Sequence, residues 1–292
     1  MKKLLYLFSA IVLFCACNKA LDNENASSDI LSNGLPMEIF ATTSDEGNGQ
    51  DSLTTRSYVD GTKVRWHGGD AISYFTGKYH NASYVYNGED GPTSVKLELG
   101  SEGSESSSEL RGSYAIYPYN ENTQCVIEDG IEKIRVNYPR EQFYAPNSFG
   151  RGANLMVASG NDGALSFRNA CGYLVLKMYG TNTYVGRIIL TSYTSNGISG
   201  DASIVLDENG EPQVTMQPQK DGNGKYDHLQ VVLNCVNNSR GVKLSEDSDN
   251  PTEFWFALPP GRLPLFEVWV TTLHKSSNVE NYYDLKIETD KY

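Results

Sequence analysis

The chain has 292 residues, and its 24 Lys+Arg against 36 Asp+Glu give a net charge of −12. At 39% hydrophobic and 21% charged it is too apolar for a disordered chain and too polar for several membrane spans. Its acidity repels phosphate backbones and argues against nucleic acid as a main partner, its 4 His disfavour a His-rich metal site, and its 19 Tyr and 27 Gly favour short strands and turns over helices.

Met1-Lys2-Lys3 is a positively charged start, and Leu4 to Phe14 is an apolar run of about eleven residues, too short to span a bilayer. Phe14-Cys15-Ala16-Cys17 resembles a bacterial lipobox. Residues 1–16 are therefore expected to be a signal peptide, with Cys17 the lipidated residue. Buried acyl chains at about 0.8 kcal/mol per CH₂ hold a multi-chain anchor firmly. A plain secretory signal cut elsewhere is the alternative. No later stretch reaches about 18 apolar residues, so lipid is the expected means of attachment to the outer membrane. Residues 17–36 are polar and rich in Asn and Ser, a flexible tether.

From Met37 onward the pattern predicts strands at 37–42, 63–66, 71–76, 83–87, 94–99, 113–117 and 132–136. They continue at 164–168, 172–179, 185–191, 202–206, 213–216, 229–234, 253–258, 265–272 and 282–288. Gly- and Asn-containing turns separate them, and Asp207-Glu208-Asn209-Gly210 predicts a hairpin. Leu174, Leu176 and Met178 share a face opposite Lys177. Phe254, Phe256 and Leu258 oppose Trp255 and Ala257, and Val268 and Val270 oppose Glu267, Trp269 and Thr271. Such alternation means one packed face and one that meets water or a second layer. No helical period competes. The expected fold is all-β, and about sixteen strands overfill one sandwich and suit two. Gly160-Asn161-Asp162-Gly163 is the expected division, between an N-terminal β-sandwich domain at 37–162 and a C-terminal one at 163–292. The acidic, Ser-rich run Gly100 to Glu109 is an expected exposed loop.

Chemistry-bearing motifs are sparse. Cys125, Cys171 and Cys235 are an odd set with no CxxC; Cys171 and Cys235 are read as small buried hydrophobes, with a bridge between them as the alternative. Asp221 to Asp227 has the look of a calcium loop, but Lys225 stands where an oxygen ligand is needed, so a turn is expected. In His67-Gly68-Gly69-Asp70 the glycines predict a turn that Asp70 caps by accepting backbone N–H bonds, with a catalytic His–Asp pair as the alternative. Tyr84/Tyr86 and Tyr117/Tyr119 are candidates for a sugar-stacking face or for a half-buried strand surface. Asp51-Ser52-Leu53 resembles a short O-glycosylation signal. No cofactor, metal or catalytic residue is expected, and the protein is read as a non-enzyme.

Four patterns taken together resemble the fimbrillin family, the lipoprotein-derived subunits of type V pili in Gram-negative anaerobes. They are Thr55-Arg56-Ser57 followed by Val64 to Ile72; Tyr114-Ala115-Ile116-Tyr117-Pro118-Tyr119; Leu155-Met156-Val157-Ala158 followed by Leu165 to Asn169; and Phe254 to Gly261, which contains Leu258-Pro259-Pro260-Gly261. They span roughly residues 37–288.

The resemblance implies two tandem transthyretin-like β-sandwich domains and a route of assembly. An Arg-specific protease cuts after an arginine, here Arg56, and removes the lipid together with the first strand, which carries Met37, Ile39 and Phe40. Another pilus subunit then fills the groove by strand addition. The chain stops soon after its last clear strand, whereas stalk subunits of the family carry a further C-terminal donor segment. A tip or accessory subunit, or adhesin, of the fimbrium is therefore expected, with a host or microbial surface ligand as a further partner. The alternative is a membrane-anchored surface lipoprotein that binds glycan or protein and does not polymerise.

Overall fold

The computed structural model describes residues 35–43, 59–60, 63–106, 108–160, 163–193, 197–217, 229–236, 241–263, 265–276 and 279–288; at 59–60, 63–64 and 273–288 it describes the backbone alone. The signal peptide, Cys17, all of the tether but its last two residues, Asp51-Ser52-Leu53, Arg56 and the Asp221–Asp227 loop lie outside the described residues. Among the described residues there is no α-helix, and the fold is all-β as the patterning predicts.

In chain order the strands are β1 (Glu38–Thr43), β2 (Val59–Asp60), β3 (Lys63–Val64), β4 (Ala71–Thr76), β5 (Tyr79–Val85), β6 (Ser94–Ser101), β7 (Ser104–Glu105) and β8 (Ser113–Tyr117). Next come β9 (Gln124–Glu128), β10 (Ile131–Tyr138), β11 (Glu141–Ala145), β12 (Ser148–Phe149), β13 (Met156–Gly160), β14 (Ala164–Asn169), β15 (Gly172–Met178) and β16 (Thr183–Ser192). The last are β17 (Gly200–Leu206), β18 (Pro212–Met216), β19 (Gln230–Asn234), β20 (Val242–Lys243), β21 (Thr252–Leu258), β22 (Phe266–Ser276) and β23 (Val279–Glu288). Every predicted strand overlaps an observed one, and 71–76 and 113–117 coincide with β4 and β8. The turns follow their chemistry. Asp129 and Gly130 both hold positive φ between β9 and β10, as a two-residue hairpin requires. Asp207 Oδ1 accepts from the N–H groups of Asn209 and Glu211, closing the β17–β18 hairpin.

The first sheet runs β4-β8-β13-β14-β1-β6-β5, and β5 pairs back onto β4, so seven strands close on themselves; β7 hangs on β5. Every seam of this ring is antiparallel except β1–β14, which is parallel. Inside sits a first core of Trp66, Ile72, Tyr74, Tyr84, Leu97, Tyr117 and Phe167 with smaller residues between them. Strands β4, β8 and β13 are covered on both faces. Phe75, Ile116 and Val157 point the other way, into a second core closed by Ile134 and Val136 of β10 and by Ala202 and Ile204 of β17. Those two strands are the middle of a four-stranded antiparallel sheet, β18-β17-β10-β9.

The β15–β21 ribbon separates the second core from a third. Tyr173, Val175, Trp255 and Ala257 face the second core. Leu174, Leu176, Met178, Phe254, Phe256 and Leu258 face the third, against Ile188, Leu190, Val231, Leu233, Val268 and Val270 of the sheet β12-β11-β19-β16-β22-β23. The predicted alternation is thus observed, and on this ribbon the second face meets another protein layer rather than water. The turn after Gly160, of which residues 161–162 lie outside the described ones, joins β13 to β14, neighbours in one sheet. Strands from both sides of that turn also meet where β10 pairs with β17 and β11 with β19.

Candidate functional site

The strand singled out for excision, β1, is interior to its sheet, with β14 on one side and β6 on the other. Its period is strict. Ile39, Ala41 and Thr43 point into the first core, while Glu38, Phe40 and Thr42 point out. Ile39 stands opposite Leu97, and Ala41 opposite both Val95 and Leu165. Of the three residues named for the strand, only Ile39 is core. Met37 lies before the strand and is 45% exposed, and Phe40 is 49% exposed on the outer face. Phe40 N donates to Gly163 O (2.7 Å), and Met37 O accepts from Leu99 N (3.0 Å). Upstream, Leu35 is fully buried and Pro36 O accepts from Tyr84 Oη at 2.6 Å. Burial, then the neighbouring Tyr74, pushes the Tyr84 hydroxyl well above the usual tyrosine range. Burying Ile39 is worth about 1.5–3 kcal/mol. Taking β1 away would uncover the inward side chains of Val95, Leu97, Leu165 and Phe167 and the backbone rows of β6 and β14.

The His67–Asp70 turn precedes β4 and is a hydrogen-bonded clasp. Asp70 is 2% exposed. Its Oδ2 accepts from His67 N at 2.8 Å, and its Oδ1 accepts from Tyr117 Oη at 3.2 Å and Arg151 Nε at 3.1 Å. Asp70 therefore caps the turn as predicted. His67 pairs elsewhere, its Nδ1 lying 2.9 Å from Asp90 Oδ2. The Gly68 N–H bond, then His67, holds the Asp90 carboxyl below the usual carboxylate range. The two glycines serve different ends: a Cβ on Gly68 would sit 2.5 Å from Gly88 O, and Gly69 has φ 81. Arg151, the residue that the sequence reading missed, comes from the loop after β12, and nothing near it in the chain marks it as a partner of Asp70.

The tyrosine pairs do not assemble a sugar-stacking face. Tyr84 and Tyr117 are fully inside the first core. Tyr86 packs against it and donates to Glu89 O, leaving Tyr119, at 37%, as the exposed ring. The three described thiols are free and buried, with Cys171 in the second core and Cys235 in the third, so no Cys171–Cys235 bridge forms. Burial pushes each thiol up to about 12, which makes them inert hydrophobes.

On the outer face of the β18-β17-β10-β9 sheet lies a cleft of about 470 Å³. Arg135 of β10 stands between Gln124 of β9 and Ser203 of β17, and Asn137 stands opposite Asp201. Asn137 Nδ2 donates to Asp201 Oδ1 at 2.6 Å. Glu128 is bound by Lys133 (3.1 Å) and by Arg135, which hold its carboxyl below the usual range. Among the described residues no group of three or more His, Cys, Asp or Glu is placed to hold a metal ion.

Of the resemblance motifs, Thr55-Arg56-Ser57 lies outside the described residues, and the rest fall on the clasp before β4, on β8, on β13 with β14, and on β21 with its following turn. No protein-family model, curated protein or solved structure matches the chain.

Proposed function

We propose that the chain is a fimbrillin-like cell-surface lipoprotein, a tip or accessory subunit or adhesin of a fimbrium assembled by β-strand addition. In this reading it is not an enzyme. The observation that carries the proposal is β1. A single strand, with Leu35 just before it, is joined to β2 through residues 44–58 that contain Arg56 and supplies inward residues to a core otherwise built downstream. A cut after Arg56 would release it together with any lipid on Cys17. The opening would then accept a strand of one polarity, parallel to β14 and antiparallel to β6. The finer architecture that goes with this reading is two tandem transthyretin-like sandwiches. The last described strand, β23, folds back on β22 along Glu267–Ser276.

Intact mass and N-terminal sequencing of the protein from its native cell surface test the proposal. A chain that starts at Ser57 without lipid supports it. A chain that starts at acylated Cys17 overturns the processing and leaves the second reading, an anchored lipoprotein that binds glycan or protein. That reading is favoured by the polar cleft over β10 and β17, which lies away from β1. Hydrolase turnover lost on His67→Ala or Asp70→Ala would overturn the non-enzymatic assignment.

A further inference from the structure

We propose that the cleft on the four-stranded sheet is a binding site for a neutral oligosaccharide. At about 470 Å³ it lies within the range of ligand sites, roughly 300–1,000 Å³. A second recess of about 100 Å³ shares Asn120, Thr123, Val136 and Asn137 with it and lengthens it toward Pro118 and Pro139.

The floor is rigid for a reason visible in the strands. Ile134 and Val136 alternate with Arg135 and Asn137, and Ala202 and Ile204 alternate with Asp201 and Ser203. The first member of each set is locked in the second core, so the second stands on a fixed backbone. Register then sets the polar groups in rows, Gln124–Arg135–Ser203 and Asn137–Asp201, about 4.8 Å apart from strand to strand.

The chemistry of these groups selects the ligand class. The lining holds two cations, Lys133 and Arg135, and two carboxylates, Glu128 and Asp201. Both cations are held on Glu128, so an anion meets no surplus positive charge. The remaining lining is mainly amide and hydroxyl: Asn120, Asn122, Gln124, Ser203 and Gln217 offer donors and acceptors in like measure. Sugar hydroxyls need that mixture, since each both donates and accepts. An apolar ligand would strip water from these groups and return no hydrogen bond. A peptide strand would want a free row of backbone groups, whereas the floor strands β10 and β17 are paired on both sides. Among the described residues no aromatic ring lines the cleft, so its affinity rests on hydrogen bonds.

The site needs neither lipid nor cleavage at Arg56, so it stands or falls separately from the strand-addition reading. The full chain is tested on a panel of neutral oligosaccharides of two to six rings, their sialylated and sulfated counterparts, and an unrelated extended peptide. The expected result is binding of at least one neutral oligosaccharide, weakened about tenfold or more by Asn137→Ala and by Asp201→Ala and blocked by Ser203→Tyr, which fills the cleft. Melting temperature should be unchanged in all three, and Lys177→Ala, an exposed substitution on the β15–β21 ribbon, should leave binding intact. Failure of every neutral member, binding of only charged glycans or only the peptide, or binding that survives all three variants overturns the proposal.

Discussion

Gln142 is a buried amide that does the work of a strand. It is 2% exposed; its Nε2 donates to Ala257 O at 2.6 Å, and its Oε1 accepts from Ala257 N at 3.0 Å. One side chain thus satisfies both backbone groups of a β21 residue. Gln142→Leu leaves those two groups without a partner and should cost about 2–6 kcal/mol in a urea titration, at 1–3 kcal/mol for each unsatisfied buried group. Asp70→Ala strands Tyr117 Oη and removes the counter-charge of Arg151. A loss of about 2–4 kcal/mol is expected there, held below the figure for a fully buried pair because Arg151 is 55% exposed. The thiols give a cheaper check. With burial holding Cys125, Cys171 and Cys235 near 12, a disulfide reagent at pH 8 should label none of them until denaturant is added. His80 carries a pH signature. Burial lowers its pKa below about 6.5, so the fold favours the neutral ring. Its contribution is full above about pH 6.5 and is lost as pH falls through that value toward the folded pKa. The melting temperature should therefore drop between pH 7 and 5, and His80→Phe should flatten that drop.

The elements differ in how plainly the sequence announces them. Strands β4, β8, β15 and β21 are legible because their alternating residues are large and apolar and sort cleanly between two layers. β11 is illegible for the opposite reason: its inward residue is Gln142, and Phe143 is 60% exposed, so period-2 reading inverts. β13 escapes because Met156-Val157-Ala158 is buried on both faces and shows no alternation. The capping role of Asp70 was legible from the Gly pair beside it. Arg151, which lies far along the chain, was not, and neither was the cleft, whose rows exist only once β9, β10 and β17 fall into register. For β1, Ile39→Ala should cost about 2–5 kcal/mol by opening a cavity beside Leu97. A chain lacking residues 1–43 should capture a labelled peptide of residues 35–43 that the intact protein ignores. Equal capture by both would sink the idea that β1 fills a strand-shaped vacancy.

At the scale of the molecule, three cores are stacked, with β4, β8 and β13 shared by the first two and the β15–β21 ribbon by the last two. Shared elements couple the layers, so substitutions on either side of the ribbon, such as Val175→Ala and Leu174→Ala, should lower one common unfolding transition rather than split it. The parallel seam of the ring also sets a timetable. Phe40 pairs with Ala164 and Thr43 with Phe167, so the earliest strand waits for one of the latest in its sheet. β6 can join β1 soon after synthesis, yet the ring cannot shut until β14 emerges. During that interval Ile39 and Ala41 have only one flank covered. A chain made from its N-terminus therefore keeps its first strand half-housed until β14 follows, and the final closing event of the barrel belongs to the same seam that strand exchange would have to reopen.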